Sequence, residues 1–525
     1  MKIIRQVTPK TIFLIVLFIS FFIFLRWNHF TAPFERDEGV YAYSAWIMRQ
    51  GLNVYEYSFP YKPPMIIYSF LLSQLVFGDN VWGIRLLAFV FSFITVIFIG
   101  LVAKRVAGVN AFWATVFLLS VMLILPVNFG YGNLADIYYA ANTEIFMLLP
   151  LSLILYIFVK YSEKAAYKHW FLTGIFTTIA VSYKPICLVV ILFIYSFWIY
   201  RAWKKDGGLL NTAIKIGFTL VGGLLSALLI YLPFIWQDGG RAIWKQMVGF
   251  TSCYKSWGNW DYGIGQFINR LLLMGKYYWL IYLLVVFYIL NRSKDRLFYT
   301  GLLLISYLSV YQSIIGHYYI LMMPFLALVG GLAIDKLSTL PLFKKTSFWV
   351  FTVTTLIILL WPVSSMFGKS PAELGVWVYG NLDPHVEAQI VGGKIKDLTN
   401  AHDFVFIEGM DPEILYFTQR RSSVRMEWTN FLSSDCPVLS SYKEDYVRDL
   451  EKNTPKVISV CVSGSCRGVW EDEKAKPYLD NLRQMISKDY VFAGGWIPKD
   501  GSGYWVDKII DDNLDGFRTI VYIRK

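Results

Sequence analysis

The chain has 525 residues, of which 56% are hydrophobic, 18% aromatic and only 16% charged, and its mean hydropathy is +0.47. A soluble protein of this length has no core large enough for so much apolar surface, so the composition excludes a soluble enzyme and points to a polytopic membrane protein. The net charge of +12 would suggest a nucleic-acid partner in a soluble chain, but here it has a topological use and no nucleic acid is expected.

The first element, TIFLIVLFISFFIFLRW (11–27), follows Lys2, Arg5 and Lys10. It has the look of a signal peptide, but no small-residue cleavage site follows, so it is read as a retained first transmembrane helix. FERDEGVYAYS (34–44) comes next and sets Asp37 and Glu38 side by side where the chain leaves the bilayer. YKPP (61–64) opens PPMIIYSFLLSQLVFG (63–78), which is apolar but short, with two prolines at its start and Gly-Asp-Asn at its end. Those signals predict a helix lying in the membrane interface rather than crossing it. Spans are then expected at 81–103, 109–127, 143–159, 169–183, 185–200, 212–235, 275–291, 297–315, 317–335 and 347–365. With the first, that makes about eleven transmembrane helices by the length rule.

With an inside start, one set of short loops carries Lys2/Arg5/Lys10, Lys104/Arg105, Lys160/Lys164/Lys168, Arg201/Lys204/Lys205, Arg292/Lys294/Arg296 and Lys336/Lys344/Lys345. Every loop on that side is basic, which makes it cytoplasmic by the positive-inside rule. Counting 63–78 as a full span would flip every later loop. The opposite, extracytoplasmic face holds the long connections 28–80, 128–142 and 236–274 and everything after about 366. Connections of that length are where sites are usually built. A multi-pass protein of the cell (inner) membrane is expected, its N-terminus cytoplasmic and its tail outside.

After Pro362 the composition becomes mixed. HDFVFIEGM (402–410) and PKVISVCV (455–462) read as buried strands; 386–398, 441–452 and 477–488 read as amphipathic helices. Residues 366–525 are therefore expected to form an α/β domain outside the membrane, and 1–365 a mainly helical transmembrane domain that includes the first outer loop. Of the five cysteines, Cys187, Cys253, Cys436, Cys461 and Cys466, none makes paired CxxC metal spacing. CVSGSC (461–466) suits either a disulfide or two free thiols.

Several charged residues gather on the outer side. Asp37 and Glu38 are either solvated interfacial charges beside Arg36 or the start of an active site. Lys62 is either a snorkelling lysine or a compact cation suited to a phosphate, with two prolines stiffening the backbone behind it. Glu144, in ANTEIFMLLP (141–150), is either a first-turn acid favoured by the helix dipole or a further carboxylate facing the same pocket. Lys184, in SYKPI (182–186), lies at an outer hinge between two spans. A charge deep in the bilayer costs roughly 2.5–3.5 kcal/mol and so usually faces a cavity, although this hinge is shallow. Arg85 begins the second span, and His317 and Tyr318 begin the tenth. A packed or water-bonded ring is the simpler reading for the histidine. The aromatic loop 236–274, with Trp236, Trp244, Trp257, Trp260 and Tyr262, suits either an interfacial belt or a flap. No Walker loop, dinucleotide fingerprint, HExxH or Cys/His grouping occurs.

In order, RDEG, YKPP, FGDNVWGIRL, NTEIFMLLP and SYKP resemble the lipid-phosphosugar-dependent GT-C glycosyltransferases, nearest to the protein O-mannosyltransferase and aminoarabinose (lipid A) transferase group. GHYYILMMPFLAL (316–328) and GMDPEILYFTQRR (409–421) look similar to bacterial members. The resemblance implies a GT-C membrane fold and transfer of a sugar from a polyprenyl-phosphate donor to an extracytoplasmic acceptor. It implies that Asp37 matches the catalytic acid, Glu38 its companion and Lys62 a lysine near the lipid phosphate. Glu144 matches a second acidic position, for which Asp136 competes, and Lys184 a recurring lysine.

On this reading Asp37 takes the proton of an attacking acceptor hydroxyl in an inverting displacement, while Glu38 orients the acceptor or tunes the base. Lys62, Arg85 and Lys184 hold the departing phosphate, and His317, Tyr318 and Asp136 are candidates for substrate contact. A monophosphate donor requires no metal clamp, so no obligatory cofactor is expected, although members of the family include metal binders. The expected partners are the polyprenyl-linked sugar, membrane lipids and an acceptor whose class (lipid, protein or polysaccharide) the motifs do not encode. A lipid-sugar flippase would need polar residues along a transbilayer route, which the spans lack. A polysaccharide polymerase or ligase would lean on a late outer loop, whereas the acids here sit in the first.

Overall fold

The computed structural model describes residues 8–125, 140–161, 164–205, 208–253, 263–291, 295–313, 316–341, 347–379, 385–463, 472–499, 502–508 and 516–525. Asp136, Trp257, Trp260, Tyr262 and Cys466 lie outside the described residues.

Each expected span is met by a helix. The first is α1 (Pro9–Phe24), and the connection after it contains α2 (Arg36–Arg49), α3 (Val54–Tyr57) and α4 (Met65–Phe77). Then come α5 (Val81–Ala107), α6 (Val109–Met122), α7 (Thr143–Tyr161), α8 (Tyr167–Val181), α9 (Leu188–Lys205), α10 (Leu209–Asp238), α11 (Ile264–Leu290), α12 (Arg296–Leu308), α13 (Met323–Ser338) and α14 (Ser347–Leu360). Among the described residues, seven helical stretches are long and apolar enough to cross a membrane: Val81–Ala107, Thr143–Tyr161, Pro185–Lys204, Leu209–Asp238, Ile264–Leu290, Gly316–Ser338 and Phe348–Gly368. Helices α1, α4, α6 and α12 are apolar but shorter.

Local chemistry sets the ends. The Asn80 side chain accepts from Gly83 N at 2.8 Å and caps α5; Gly108, at φ 106°, closes it in a conformation that other residues resist. Leu229 on α10 is 76% exposed and Leu272 on α11 69%, as lipid-facing surfaces should be. By contrast 83% of the apolar window in Gly316–Ser338 and 72% of that in α7 are buried. These two spans form the centre of the bundle, and both carry candidate site residues at one end. Helices α8 and α10 approach so closely that a Cβ at Gly174 would meet Thr219 O at 2.0 Å, the small-residue contact that substitutes for a hydrophobic drive inside lipid.

The expected loop 236–274 is shorter than its hydropathy suggested. Helix α10 continues to Asp238 and α11 begins at Ile264, with a helical turn at Arg241–Trp244 and a π-helical stretch at Lys245–Phe250 between them. The more polar end of α10 and start of α11 escaped a reading based on continuous apolar runs.

Beyond Gly368 the chain forms α15 (Pro371–Tyr379), α16 (Glu387–Asp397), β1 (Phe404–Glu408), α17 (Pro412–Thr418), β2 (Arg421–Ser422), α18 (Ser440–Lys452), β3 (Val457–Cys461), α19 (Lys476–Asp489), β4 (Tyr490–Lys499), β5 (Ser502–Val506) and β6 (Thr519–Arg524). The strands make one mixed sheet in the order β2-β1-β3-β6-β4-β5. β1 lies parallel to β3, with Val405 opposite Val457, and β3 antiparallel to β6, with Val457 opposite Ile523. β1 and β3 are almost wholly buried, which explains their unbroken apolar runs.

Candidate active site

The first turn of α2 is where Asp37 and Glu38 part company. Glu38 is fully buried and both its oxygens are taken. Oε1 accepts from Arg85 Nε at 2.5 Å and from Ala141 N at 2.6 Å; Oε2 accepts from Arg85 Nη2 and from Glu35 N at 3.2 Å. Arg85 also donates to the carbonyls of His29 and Pro33, each at 3.1 Å. A guanidinium forked onto a carboxylate in this way is a fixed ion pair. Glu38 and Arg85, expected at the base and at the phosphate respectively, are paired with each other. Their pairing joins α2 to α5 and to the start of the α7 segment. Asp37, one residue earlier, is half-buried.

A second buried pair forms at the mouth of the two central spans. Glu144, 1% exposed, is hydrogen-bonded to Lys184 Nζ and accepts from Thr143 Oγ1 at 2.8 Å. His317 Nε2 lies 3.6 Å from the same carboxylate, and Lys184 Nζ sits 3.2 Å from the centroid of the Tyr318 ring. The expected carboxylate and phosphate cation are thus each other's partners. Asp37 and Lys62 both lie within electrostatic reach of Lys184. Asp37, Lys62, Glu144, Lys184, His317 and Tyr318 therefore converge on one region.

Lys62 is held by its own loop. Tyr61 has φ 40°, an uncommon conformation for a residue with a side chain. Its N donates to Gln246 Oε1 at 3.2 Å, and Tyr55 Oη donates to Lys62 O at 2.7 Å. Pro63 and Pro64 then stiffen the turn into α4. Met65 N donates to Ser182 O at 3.1 Å, so the YKPP and SYKP stretches are bonded to each other. Lys62 Nζ lies 4.3 Å from the centroid of the Tyr61 ring.

Two contributors were not legible beforehand. Tyr41, one turn after Asp37, is buried, and among the described residues its hydroxyl has no hydrogen-bond partner. Burial and the nearby Asp37 raise its pKa well above the usual phenol range, so it stays a donor. Its spacing of four from Asp37 on a helix was the available signal. The other contributor is the C-terminal domain. A Cβ at Gly39 would meet Glu413 N at 2.4 Å, so the glycine of RDEG allows α2 to dock on α17. Arg36 Nε lies 3.9 Å from Asp411, which Arg518 holds in a two-pronged pair at 2.9 and 3.0 Å. Glu427 accepts from Phe59 N at 2.7 Å and from Ser58 Oγ, three residues before Lys62. Burial pushes its carboxyl up to about 7.

Cys253 and Cys436 form a disulfide, with Cα atoms 5.6 Å apart, that ties the segment after the π-helical stretch to the C-terminal domain. Cys461 is also disulfide-bonded, and Cys187 is free and buried. Among the described residues, no three His, Cys, Asp or Glu side chains are grouped as metal ligands.

Residues 61–236, which include Lys62, Glu144 and Lys184, match the family model described as dolichyl-phosphate-mannose-protein mannosyltransferase. None of the curated proteins compared matches the chain by sequence. Among solved structures, the chain is similar to ArnT from Cupriavidus metallidurans bound to undecaprenyl phosphate (12% identity, TM-score 0.59, 97% of each chain covered). It is equally similar to the apo state of that protein (12%, 0.60, 98% of each chain). The Archaeoglobus fulgidus oligosaccharyltransferase in its apo form shows a more distant likeness (11%, 0.50, 96% of this chain and 75% of that one). The resemblance carried by the short motifs is thus borne out over nearly the whole length, and the chain has the membrane fold of the GT-C glycosyltransferases.

Proposed function

We propose that this protein transfers a sugar from a polyprenyl-phosphate donor to an acceptor hydroxyl at the extracytoplasmic face of the membrane. The observation that carries the reading is the convergence of Asp37 and Lys62 on the Glu144–Lys184 pair at the mouth of the two most buried spans. Further support comes from the ArnT structure, whose bound undecaprenyl phosphate is a lipid of the proposed class. The Cys253–Cys436 disulfide favours an oxidising compartment for that face.

Asp37 accepts the proton of the acceptor hydroxyl as its oxygen attacks the anomeric carbon. The bond from that carbon to the phosphate oxygen breaks, and its electron pair leaves with the phosphate. Lys62 is the cation that meets the departing phosphate, which leaves as a dianion, and the Tyr41 hydroxyl is a further donor. Glu144 and Lys184 form a fixed dipole that positions the other charges. Glu38 and Arg85 hold α2 in place and touch no substrate. A monophosphate leaving group requires no metal clamp in this scheme.

Asp37→Asn is expected to lower transfer by about 10²–10⁴-fold while leaving the protein folded in the membrane. A purified assay with lipid-linked sugar checks this, and transfer at the native rate would remove Asp37 from the role of base.

A further inference from the structure

Lys160 stands at the opposite end of α7 from Glu144, roughly 24 Å away at 1.5 Å per residue. There an open cavity of about 670 Å³ lies between the ends of α5, α7 and α9 and the start of α12. Arg105, Lys160, Lys164 and Arg201 line it, and among the described residues Asp295 is the single carboxylate in the lining. That carboxylate is taken: Arg201 Nη2 lies 3.6 Å from Asp295 Oδ1, and the Arg201 guanidinium carbon 5.3 Å from the centroid of the Phe158 ring. Arg105, Lys160 and Lys164 are exposed, and among the described residues no carboxylate pairs with them. Lys160 Nζ lies 5.0 and 5.2 Å from the centroids of the Tyr161 and Tyr156 rings. Beneath the cations the lining is apolar: Phe158 and Phe298 are buried, with ring centroids 5.0 Å apart. Next to these residues in the chain, Tyr200, Trp203 and Leu297 are 50%, 53% and 76% exposed, a helix surface suited to the level of lipid headgroups. The positive-inside rule needs cations on one side of the bilayer. It does not need three of them to converge, without acids, on one cavity.

We propose that this cavity binds the headgroup of an anionic glycerophospholipid, its phosphate held by Arg105, Lys160 and Lys164. The volume is ample for a glycerophosphate group but does not choose the ligand. The choice comes from the surplus of cations beside a lipid-facing surface, as in other basic pockets between membrane helices. The basic loops assign this end to the cytoplasmic leaflet. Bound there, the lipid supplies the missing countercharge and ties together the ends of α5, α7, α9 and α12. The inference is independent of glycosyl transfer.

The test is thermal unfolding of the full-length protein in detergent, titrated with phosphatidylglycerol, phosphatidylcholine or glycerol 3-phosphate. Phosphatidylglycerol is expected to raise the midpoint saturably and by more than phosphatidylcholine, and glycerol 3-phosphate to leave it unchanged. Lys160→Gln with Lys164→Gln should raise the half-saturating phosphatidylglycerol concentration about 25-fold, at about fivefold for each basic residue. Lys104→Gln with Lys204→Gln removes the same charge from the same end of the bundle outside the cavity, and should leave the titration as in the native protein. If the first variant fails to fold, native mass spectrometry decides. The native protein, released from a mixed bilayer of the two phospholipids, is expected to retain phosphatidylglycerol preferentially. Equal responses to the two phospholipids, equal retention of them, or equal weakening by the two double variants would each overturn the proposal. A shift with glycerol 3-phosphate as large as that with phosphatidylglycerol would overturn the lipid and assign the cavity to a soluble phosphate ester.

Discussion

Asp37 and Glu38 are adjacent in sequence and opposite in fate. One helical step rotates neighbouring side chains by about 100°, so the first turn of α2 aims Asp37 at the cluster around Lys184 and Glu38 at Arg85. The two therefore fail differently when neutralised. Glu38→Gln leaves the Arg85 guanidinium buried without its countercharge, and breaking a buried pair on one side costs about 3–5 kcal/mol. It is expected to lower the unfolding midpoint and the yield of folded protein, measured in detergent beside Asp37→Asn, whose stability should stay close to native. Equal destabilisation of the two variants would contradict the division of labour. No adjacency rule separates such a pair in advance, because what separates them is the position of Arg85, which is 47 residues away.

At the scale of elements, the segment from Ser58 to Lys62 is held from two sides. Gln246 Nε2 donates to Tyr55 O at 2.8 Å and Ser58 O at 2.9 Å, while Glu427 binds Ser58 and Phe59 from the C-terminal domain. The Glu427 carboxyl is raised to about 7, with burial as the cause. An acid whose folded pKa is raised holds its proton more tightly folded than unfolded, so stability falls as pH rises from the ordinary carboxyl range to about 7 and is level above it. Glu427→Gln mimics the protonated form. It is expected to flatten that window and to raise stability above pH 7 by on the order of 1–3 kcal/mol. Unfolding midpoints of both proteins across pH 4–8 check the sign. A native protein whose stability climbs through this window would contradict the assignment.

At the scale of the molecule, the C-terminal domain and the membrane bundle are joined covalently as well as by packing. The Cys253–Cys436 bridge spans 183 residues of sequence and closes the segment that carries Gln246 against the domain that carries Glu427. Removing a native disulfide costs about 2–4 kcal/mol, so Cys253→Ser with Cys436→Ser should lower the unfolding midpoint. Limited proteolysis should then cut the 245–253 segment faster than in the native protein.

The amino-acid sequence by itself determined the membrane class, the placing of the helices and the strands β1 and β3, because hydropathy and its period are local properties of the chain. Its order of short motifs also sufficed for the GT-C likeness. It could not show which acid pairs with which base. The Glu38–Arg85, Glu144–Lys184 and Cys253–Cys436 partnerships each join distant segments. Nor could it show that Gly39 admits the C-terminal domain to the helix carrying Asp37. Those facts belong to the tertiary structure, because the partner of a buried charge is chosen by packing and the cost of leaving it unmatched.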